Sequence, residues 1–354
     1  MGDETWRSSA KFMSISTARV LAGRIREHAL KHDLRHLCIG LHGGEPLLIG
    51  PSRLDALAST FRTELASFKT YISLQTNGTL LNKEFCSVIS AQDISLGVSI
   101  DGFPEANNRR IDLRGRPSFS STIRGIELAK TLIPDQVGGV LAVINPASDP
   151  LAVFDFMADL GINRVDFLLP HHHWDLLPPR TFGRTHEYGE WLWKVFQAWV
   201  NGRHTHLGIR FFENIIRQYL RVESKFEAMN LAPVTLVTIN TDGDIEGVDT
   251  LKSTASGIQR TGLSVHSNSI DEALTLDLIA LRQSGRLQLS DVCQRCKYVR
   301  ECAGGYFPHR FSRDRKFNNP SVYCGDLFWL LTKIDNYLGG VSRQATSQAG
   351  VPQH

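Results

Sequence analysis

The sequence predicts an α/β protein in which most of a parallel α/β barrel is followed by a cysteine-rich extension. Three observations predict this fold. Short apolar runs that end in Gly, Asn or Asp alternate with helix-length segments as far as about Pro170, and this alternation is typical of a parallel sheet. Sequence rich in Trp and Phe follows, and four cysteines then gather in the last fifth of the chain.

Five strands and four helices are predicted in the first half of the chain. The strand runs are HLCIGLHGG, YISLQTNG, ISLGVSIDG, VGGVLAVIN and VDFLLPH. Between them, apolar residues recur at spacings of three and four, which predicts helices over residues 52–68, 83–89, 118–132 and 149–160. Five strands in this order indicate most of an α/β barrel.

The second half has a different pattern. The pattern over residues 184–228 predicts helices. The segment VTLVTINTDGDIEGVDTL predicts a β-hairpin that turns at Asp242-Gly243, because Asp-Gly supplies the positive φ of a tight turn. A helix over 270–281, the cysteine loop and a final amphipathic helix over 326–338 follow. We expect a partial barrel over 1–180, a helical bridging segment over 181–232, a cysteine-containing domain over 233–340 and a disordered tail over 341–354.

Polar residues follow the predicted strands at the points where these strands end. In α/β barrels the carboxyl ends of the strands form the active-site face. Gly, Asn and Asp are also common turn residues, so it is their joint position on one face that predicts a binding site. The residues are Gly43, Gly44, Glu45, Gln75, Thr76, Asn77, Ser99, Asp101 and Asn145.

The clustered cysteines predict a metal site. A C-x2-C-x5-C arrangement and a distant fourth thiol can converge on a zinc ion or an iron–sulfur cluster, and the spacing leaves both open. Cys38 and Cys86 lie singly in apolar segments and are predicted to be core thiols. The four predicted ligands are Cys293, Cys296, Cys302 and Cys324.

Charge and hydropathy exclude some classes of partner. The formal net charge is +3 and the sequence pI is about 8.5, too mild to indicate a nucleic acid or an anionic membrane. The opening MGDETWRSSAKF is polar, and no apolar run approaches the ~18 residues of a membrane span. We therefore expect a cytoplasmic protein, in which clustered cysteines bind metal rather than form disulfides.

Four motifs carry a resemblance to a known family. HGGEPLL, SLQTNGTLL and VSIDG occur in this order and are followed by C-x2-C-x5-C-AGGYFPHR. The set resembles the radical S-adenosylmethionine (SAM) enzymes with a carboxyl-terminal SPASM extension, specifically those that modify ribosomally made peptides, over residues 13–338.

The resemblance implies both a fold and an activity. The fold would be a partial (β/α)6 TIM-type barrel with its first strand missing, joined to a SPASM extension of β-hairpin, cysteine-rich loop and helix. The activity would be oxidative modification or cross-linking of a precursor peptide through a 5′-deoxyadenosyl radical. A flavodoxin- or ferredoxin-type electron donor is implied as a further partner.

The resemblance also assigns SAM binding to residues at the strand ends. In the family the Gly-Gly-Glu motif binds the methionine amino group, the Ser of an S-x-D-G strand end bonds the ribose, and an Arg of the next loop holds the carboxylate, for which a bidentate guanidinium is suited. Arg109 is a close alternative to Arg110, and a solvated basic loop is the plainer interpretation of both. Carried over to this chain, with weaker candidates included, the residues are Gly43, Gly44, Glu45, Asn77, Ser99, Arg110, Asn145 and Leu169.

By the same resemblance the four cysteines hold one auxiliary [4Fe–4S] cluster, with zinc as the structural alternative. The family often has a second cluster, whose ligands include a cysteine within residues 303–306 and another in the hairpin. Here Tyr306 stands in the first region and Val248 at the second position. A second cluster is therefore not expected.

Further candidates lie around this loop. Asp249 is the candidate catalytic residue, because in some relatives a carboxylate at this place accepts a proton from the substrate; a solvated hairpin Asp is the alternative. His171, His172 and His173 alternate faces on an extended segment and cannot all reach one metal, so we expect them at the rim of the site. His309 and Arg310 could tune the cluster by bonding to sulfur.

One feature of the family is not found in this sequence. SAM cleavage requires a Cys-x3-Cys-x2-Cys set near the end of the first barrel strand, and the chain as given has none. We expect a start downstream of the true one, a fragment, or a degenerate form. As given, the chain would be incompetent for SAM cleavage and would serve as a peptide- or SAM-binding scaffold or partner subunit; a zinc-stabilised binding protein is a further alternative.

Overall fold

Six parallel strands, hydrogen-bonded in sequence order, form the central sheet. The computed structural model describes residues 7, 9–112, 114–222, 226–234 and 236–348, with only the backbone of 340–348, so parts of the opening segment and of the tail lie outside the described residues. The five predicted strands are confirmed, whereas β6 is not predicted because two residues show no alternation. The strands are β1 (His36–Leu41), β2 (Lys69–Thr76), β3 (Ile94–Ser99), β4 (Val137–Val143), β5 (Arg164–Leu168) and β6 (Gly208–Ile209).

The four helices predicted between the strands are confirmed and begin within one residue of their predicted starts, at Pro51, Lys83, Phe119 and Pro150. Asn82 accepts a hydrogen bond from Phe85 N (2.9 Å) and Asp149 one from Ala152 N (2.8 Å), which satisfies backbone donors at the start of two helices. The helices are α1 (Ile15–Lys31), α2 (Pro51–Glu64), α3 (Lys83–Ala91), α4 (Phe119–Leu132), α5 (Pro150–Asp159), α6 (Glu187–Val200) and α7 (Arg210–Tyr219).

One face of the central sheet is apolar and the other is polar. Leu74, Leu96 and Val98 are at most 1% exposed and belong to the main core under the helices. Because side chains alternate along a strand, the residues between them face the other way. That second face stays partly open and can receive a ligand; on β2 and β3 it carries Ser73, Gln75, Ser95, Gly97 and Ser99.

A three-stranded antiparallel sheet opens the carboxyl-terminal part. It consists of β7 (Thr238–Ile239), β8 (Asp244–Glu246) and β9 (Arg260–Ser264), in that order. The predicted hairpin is confirmed, since β7 and β8 pair across the turn at Gly243, whose φ is +96°. The third strand is not predicted, because RTGLS carries a central Gly at φ +77° and little apolar alternation.

The predicted single helix over 270–281 is wrong. The segment forms α8 (Ile270–Leu274), α9 (Asp277–Ala280) and a 3₁₀ turn. The Thr275 hydroxyl donates to the Glu272 carbonyl at 2.8 Å, a local bond that competes with helix continuation.

The cysteine loop and the last helix complete the fold. The loop contains α10 (Asp291–Gln294) and α11 (Val299–Cys302), and α12 runs over Cys324–Gln348. Leu330, Leu331 and Ile334 of α12 are fully buried in the main core, as their helical spacing predicts. Residues 341–348, part of the predicted disordered tail, are helical, whereas 349–354 lie outside the described residues. Within the described part of the chain, no helix is both long and apolar enough to span a membrane.

Candidate functional site

Glu45 links the end of β1 to the end of β2. Its Oε1 accepts hydrogen bonds from Thr76 Oγ1 at 2.5 Å and Leu47 N at 3.1 Å, and its Oε2 accepts one from Asn77 N at 2.8 Å. An ionised carboxylate has about four acceptor positions, so one remains for a ligand. The two strand ends predicted separately are thus joined by one carboxylate that keeps free acceptor capacity.

Gly43 and Gly44 form an open platform beside Glu45. Both are exposed, and a Cβ added at either position would meet no atom within 4 Å. Gly43 has φ +132°, a conformation that L side chains rarely adopt. Backbone groups are therefore accessible here to a molecule that approaches closely.

Ser99 at the end of β3 is held by a neighbour on β2. The Gln75 side chain donates to Ser99 Oγ at 2.9 Å. It can cross to β3 because Gly97 has no side chain: a Cβ there would lie 2.1 Å from Gln75 Oε1. The serine hydroxyl is therefore fixed on the polar face of the sheet.

Arg110 has an internal partner. Its Nε and Nη2 donate to the two carboxylate oxygens of Asp101 at 2.8 and 2.7 Å, and Asp101 Oδ1 also accepts from Val143 N. Two of five guanidinium donors are used in this pair, so Arg110 retains donors for a further anion. Arg109 is exposed, and its charge helps to lower the pKa of His172 after the main effect of burial.

The remaining SAM-site candidates lie at the same edge of the sheet. Asn77 makes a local turn with Thr79 N (2.9 Å), and Asn145 makes one with Ala147 N (3.2 Å). Leu169 follows β5 and is partly buried against the main core. Whether these three contact a ligand stays a prediction.

Asp249 lies against the loop that carries the glycine platform. Its Oδ2 is 3.6 Å from Nδ1 of His42, the residue before Gly43. Asp249 begins a 3₁₀ turn rather than sitting at the hairpin tip. The sequence identifies Asp249 but not His42, because the contact joins segments that are far apart in the chain.

Aromatic and imidazole groups surround Asp249. The hydroxyls of Thr250 and Tyr306 are hydrogen-bonded at 2.7 Å, and the His171 ring lies 6.0 Å from that of Tyr306. Burial lowers the pKa of His171, with the nearby Asp249 carboxylate opposing the shift. The imidazole is therefore neutral at neutral pH and able to accept a proton.

The three adjacent histidines do not form one group. His171 faces Tyr306, His172 is 3.2 Å from the Leu176 carbonyl, and His173 packs edge-on against Phe311. This separation agrees with the alternation expected for an extended segment.

A buried ion pair that the sequence does not predict lies near the same region. Arg282 Nη2 donates to the Glu227 carboxylate, and burial raises the pKa of Glu227. The charges of Glu227 and Asp249 both contribute to raising the pKa of the Tyr306 hydroxyl, after the larger effect of burial. Neither Glu227 nor Arg282 lies in a recognisable motif, so no local pattern could have indicated them.

The four cysteines face one cavity of about 260 Å³ between the cysteine loop and α12. Tyr298 N donates to Cys296 Sγ at 3.4 Å. Burial and the neighbouring thiols raise the pKa of Cys302 to about 12 and that of Cys324 to about 11. The four predicted ligands therefore line one cavity. Because the cavity is buried, four thiolates without a compensating positive charge would be energetically unfavourable there.

The chain turns sharply around this cavity. Ala303, Gly304 and Gly305 all have φ between +50° and +75°. A Cβ at Gly305 would lie 2.9 Å from the Ser321 Cβ. The Ala-Gly-Gly sequence thus lets the loop fold back over the cysteines.

Arg310 lies beneath this turn and His309 lies beside it. The Arg310 Nη2 donates to the carbonyls of Ala303 and Gly305 at 2.8 and 2.9 Å. Burial lowers the pKa of Arg310 to about 10, and Cys293 and Cys302 oppose this shift. A buried cation near the cysteine cavity favours thiolates there.

The four sulfurs lie less close together than the ligands of a bound zinc ion would. Within the part of the chain that the structure describes, three metal-ligating atoms lie within 4.8 Å of one another only at His28, His32 and Asp271. No three of the four sulfurs are that close. Tetrahedral zinc with Zn–S near 2.3 Å would place them about 3.8 Å apart.

The two positions at which ligands of a second cluster would be needed are occupied by Val248 and Tyr306, and both residues make other contacts. Val248 is 2% exposed and packs with Leu251, Phe307, Phe311 and Phe317 in a second apolar core. Tyr306 is bonded to Thr250. Cys86 is buried on α3, as predicted for a core thiol, whereas the same prediction is wrong for Cys38, which is exposed on β1 on the face opposite the buried Leu37.

Comparison with known sequences identifies homologues. No family model matches the chain. A cysteine-type anaerobic sulfatase-maturating enzyme of Clostridium perfringens is 25% identical over 337 residues, covering 88% of this chain and 86% of the relative. A serine-type anaerobic sulfatase-maturating enzyme of Klebsiella aerogenes is 35% identical over 130 residues, 35% of this chain and 31% of the relative.

Comparison with solved structures shows the same fold. The structure of anSMEcpe with bound AdoMet and Cp18Cys peptide matches with a TM-score of 0.77 at 22% identity, over 94% of this chain and 92% of that chain. Streptococcus suis SuiB bound to the precursor peptide SuiA matches with a TM-score of 0.55 at 18% identity, over 86% and 68% of the two chains. These homologues confirm the predicted resemblance to the radical SAM enzymes with a SPASM extension: the chain is similar over 88% of its length to an anaerobic sulfatase-maturating enzyme, and it shares the fold of anSMEcpe.

Proposed function

We propose that this chain is a peptide maturase of the radical SAM/SPASM type, which holds SAM at the carboxyl ends of β1 to β4 and a precursor peptide between these ends and the cysteine-containing domain. The single observation that carries the proposal is the contact between Asp249 and His42 at 3.6 Å. It brings the candidate proton acceptor of one domain to the glycine platform of the other. The central sheet would then be part of a (β/α)6 barrel, over residues 1–180, and residues 233–340 the SPASM domain.

SAM binding would use groups that are free in this structure. The unused acceptor position of Glu45 suits an amino group, Gly43 and Gly44 leave room for a methionine backbone, and the unused donors of Arg110 suit a carboxylate. Ser99, held by Gln75, offers a hydroxyl to the ribose. The solved anSMEcpe structures with bound AdoMet support this assignment by their fold.

The peptide would lie beside Asp249. When bound and reductively cleaved, SAM would supply a 5′-deoxyadenosyl radical that takes a hydrogen atom from the peptide and becomes 5′-deoxyadenosine. Asp249 would then accept, as a general base, the proton that the peptide radical loses when it gives one electron to the auxiliary cluster. His171, neutral because burial lowers its pKa, and the Tyr306 hydroxyl bound to Thr250 would order the surrounding groups. A flavodoxin- or ferredoxin-type protein would be the electron donor.

The cysteine cavity would hold one auxiliary [4Fe–4S] cluster. Four thiol donors around one cavity suit such a cluster or a zinc ion, and the resemblance to the radical SAM/SPASM enzymes favours the cluster. The backbone N–H of Tyr298, which donates to Cys296, and the cation of Arg310 are groups of the kind that tune such centres.

A second candidate function is binding of SAM and peptide without cleavage. The observation that favours it is the placement of the six cysteines, because four face one cavity and Cys38 and Cys86 are separate. SAM cleavage in this family needs three further thiolates at an open iron site. Residues 1–354 alone would then bind SAM and release no 5′-deoxyadenosine.

A glycine substitution tests the SAM site without disturbing the fold. Gly44→Ala adds one methyl group to open space, since a Cβ there meets no atom within 4 Å. If the SAM backbone rests on this platform, its affinity should fall about tenfold, or about 1.4 kcal/mol. The measurement is isothermal titration of SAM into the anaerobically reconstituted chain.

Gly23→Ala is the matched control, because a Cβ on Gly23 of α1 also meets nothing within 4 Å. It should bind SAM as the original chain does. Equal SAM affinity for Gly44→Ala and Gly23→Ala would contradict the assigned site. Analysis of the same samples for 5′-deoxyadenosine after addition of dithionite then distinguishes cleavage from binding alone.

A further inference from the structure

A cluster of two imidazoles and a carboxylate joins α1 to α8, away from the proposed SAM site. His28 Nδ1 lies 2.6 Å and His32 Nε2 lies 2.9 Å from the same oxygen, Oδ1 of Asp271. His28 lies in the last turn of α1 and His32 is the residue that caps this helix, so the two imidazoles lie on the same side of the helix end. Their ring centroids are 4.5 Å apart.

The arrangement has the size and donor set of a mononuclear metal site. The three ligand atoms all lie within 4.8 Å of one another. Two imidazole nitrogens and one carboxylate oxygen suit Zn²⁺, with bond lengths near 2.0–2.2 Å. Tetrahedral zinc would place the ligand atoms about 3.3 Å apart, so the distances from Asp271 Oδ1 to His28 and His32 would lengthen by about 0.7 and 0.4 Å.

The surroundings hold the carboxylate and leave one side open. Asp271 lies in the first turn of α8, which Ser269 and Glu272 close with a reciprocal capping box. Lys31 Nζ binds the other oxygen, Oδ2, at 2.7 Å and so leaves Oδ1 to the imidazoles. The His32 side chain is 46% exposed, which gives a fourth ligand, such as water, access from solvent.

We propose that His28, His32 and Asp271 form a surface site for a divalent transition metal of the Zn²⁺ type, which fastens the amino-terminal helix to the carboxyl-terminal domain. The neighbouring hydrogen bond from Arg24 Nε to the Val265 carbonyl, at 3.0 Å, crosses the same boundary. A metal here would join segments that are distant in sequence and would stabilise their contact. The proposal does not depend on SAM or peptide binding.

The test uses the chain with its cysteine site reconstituted with iron and sulfide, then freed of loosely bound metal. Zn²⁺ is titrated calorimetrically under anaerobic conditions, while the iron–sulfur absorbance is followed to show that the cysteine site is unchanged. One equivalent of Zn²⁺ should bind and raise the temperature of unfolding. Asp271→Asn and His28→Gln should each weaken binding about tenfold or more, since even outer groups of metal sites contribute that much.

Asp33→Asn is the matched control, because its side chain is 89% exposed and lies just beyond α1; its Zn²⁺ affinity should not change. If Asp271→Asn does not fold, His32→Gln is tested in its place, because His32 lies at the exposed end of the helix. Absence of saturable Zn²⁺ binding overturns the proposal, as does Zn²⁺ binding that these variants leave unchanged. If the three side chains are held together only by hydrogen bonds, the variants should be less stable than the original chain whether or not Zn²⁺ is present.

Discussion

Asp101 is the residue on which the end of β3 depends most. Its carboxylate accepts two hydrogen bonds from Arg110 and one from Val143 N, and its side chain is 10% exposed. Charge-assisted bonds of this kind are stronger than neutral ones. The pair therefore fixes both the strand end and the loop that carries the candidate SAM ligand Arg110.

Asp101→Asn tests this role. The amide loses the charge and one acceptor, which leaves the Arg110 guanidinium partly buried with a poorer partner. We expect a loss of about 2–4 kcal/mol in the free energy of unfolding, measured by urea denaturation. SAM affinity should fall as well, because Arg110 is no longer held in place.

Asp112→Asn is the comparison for that experiment. Asp112 also bonds an arginine, Arg116, but their side chains are 36% and 69% exposed. Exposed ion pairs contribute roughly 0–1 kcal/mol, so this variant should change stability little. Similar losses in both variants would show that burial of the Asp101 pair has no special effect.

At the scale of the elements, α6 and α12 pack closely against each other at Gly189. A Cβ at this position would lie 2.6 Å from the carbonyl oxygen of Asp326. Asp326 in turn accepts hydrogen bonds from Tyr188 N and Gly189 N at 3.0 and 3.1 Å. The start of α6 thus packs directly on the backbone of α12, the helix that begins at Cys324.

Gly189→Ala should force these helices apart. Overpacking of this kind costs about 1–3 kcal/mol, which exceeds the helix-propensity gain of roughly 0.5–1 kcal/mol for Gly to Ala. The matched variant is Gly339→Ala in α12, where a Cβ meets nothing within 4 Å; it should leave stability unchanged or raise it. Thermal unfolding of both variants measures the difference, and a stabilised Gly189→Ala would contradict the close packing.

The elements differ in how far the sequence predicts them. β1 to β4 are predictable because each is an apolar run closed by Gly, Asn or Asp, β5 because its apolar run stops at Pro170, and α3 because its apolar residues recur at spacings of three and four. β6 has only two residues, Gly208 and Ile209, and takes its pairing from β5 rather than from any local pattern. The break between α8 and α9 arises from the hydroxyl of a single threonine, Thr275. The spacing of apolar residues along the chain gives no indication of it.

The candidate site was predictable as separate strand ends but not as a set of contacts. Glu45 and Ser99 lie where the motifs place them. Their partners Thr76 and Gln75 were visible only as strand-end residues, because the bonds form between strands. The contact of Asp249 with His42 and the Glu227–Arg282 pair depend on how distant segments pack, which one sequence does not encode locally.

At the scale of the whole molecule, the described residues form two separate apolar cores. The main core lies under the sheet and includes α12, and the second, built around Phe307, Phe311 and Phe317, lies in the carboxyl-terminal part. The cysteine cavity borders α12, whose first residue is itself one of the candidate ligands, Cys324. A metal centre in that cavity would therefore connect the loop to the main core.

Iron content tests which centre the cavity holds. Four thiolates at one [4Fe–4S] cluster predict about four irons per chain after anaerobic reconstitution. Cys302→Ser should lose most of this iron, whereas Cys38→Ser, which alters an exposed thiol on β1, should keep it. Stoichiometric zinc without iron would refute the cluster.

Removal of the centre should unfold the cysteine loop before the sheet. The loop has only the short helices α10 and α11, each of four residues, whereas the sheet keeps its buried apolar face without metal. Because metal binding contributes directly to folding of such loops, hydrogen exchange after anaerobic chelation should show lost protection in residues 291–305 and at the start of α12. The amides of β2 and β3 should remain protected, since Leu74, Leu96 and Val98 stay buried. Uniform loss of protection across both regions would mean that the loop and the sheet unfold as one unit, and unchanged protection would mean that the cavity needs no metal to keep its shape.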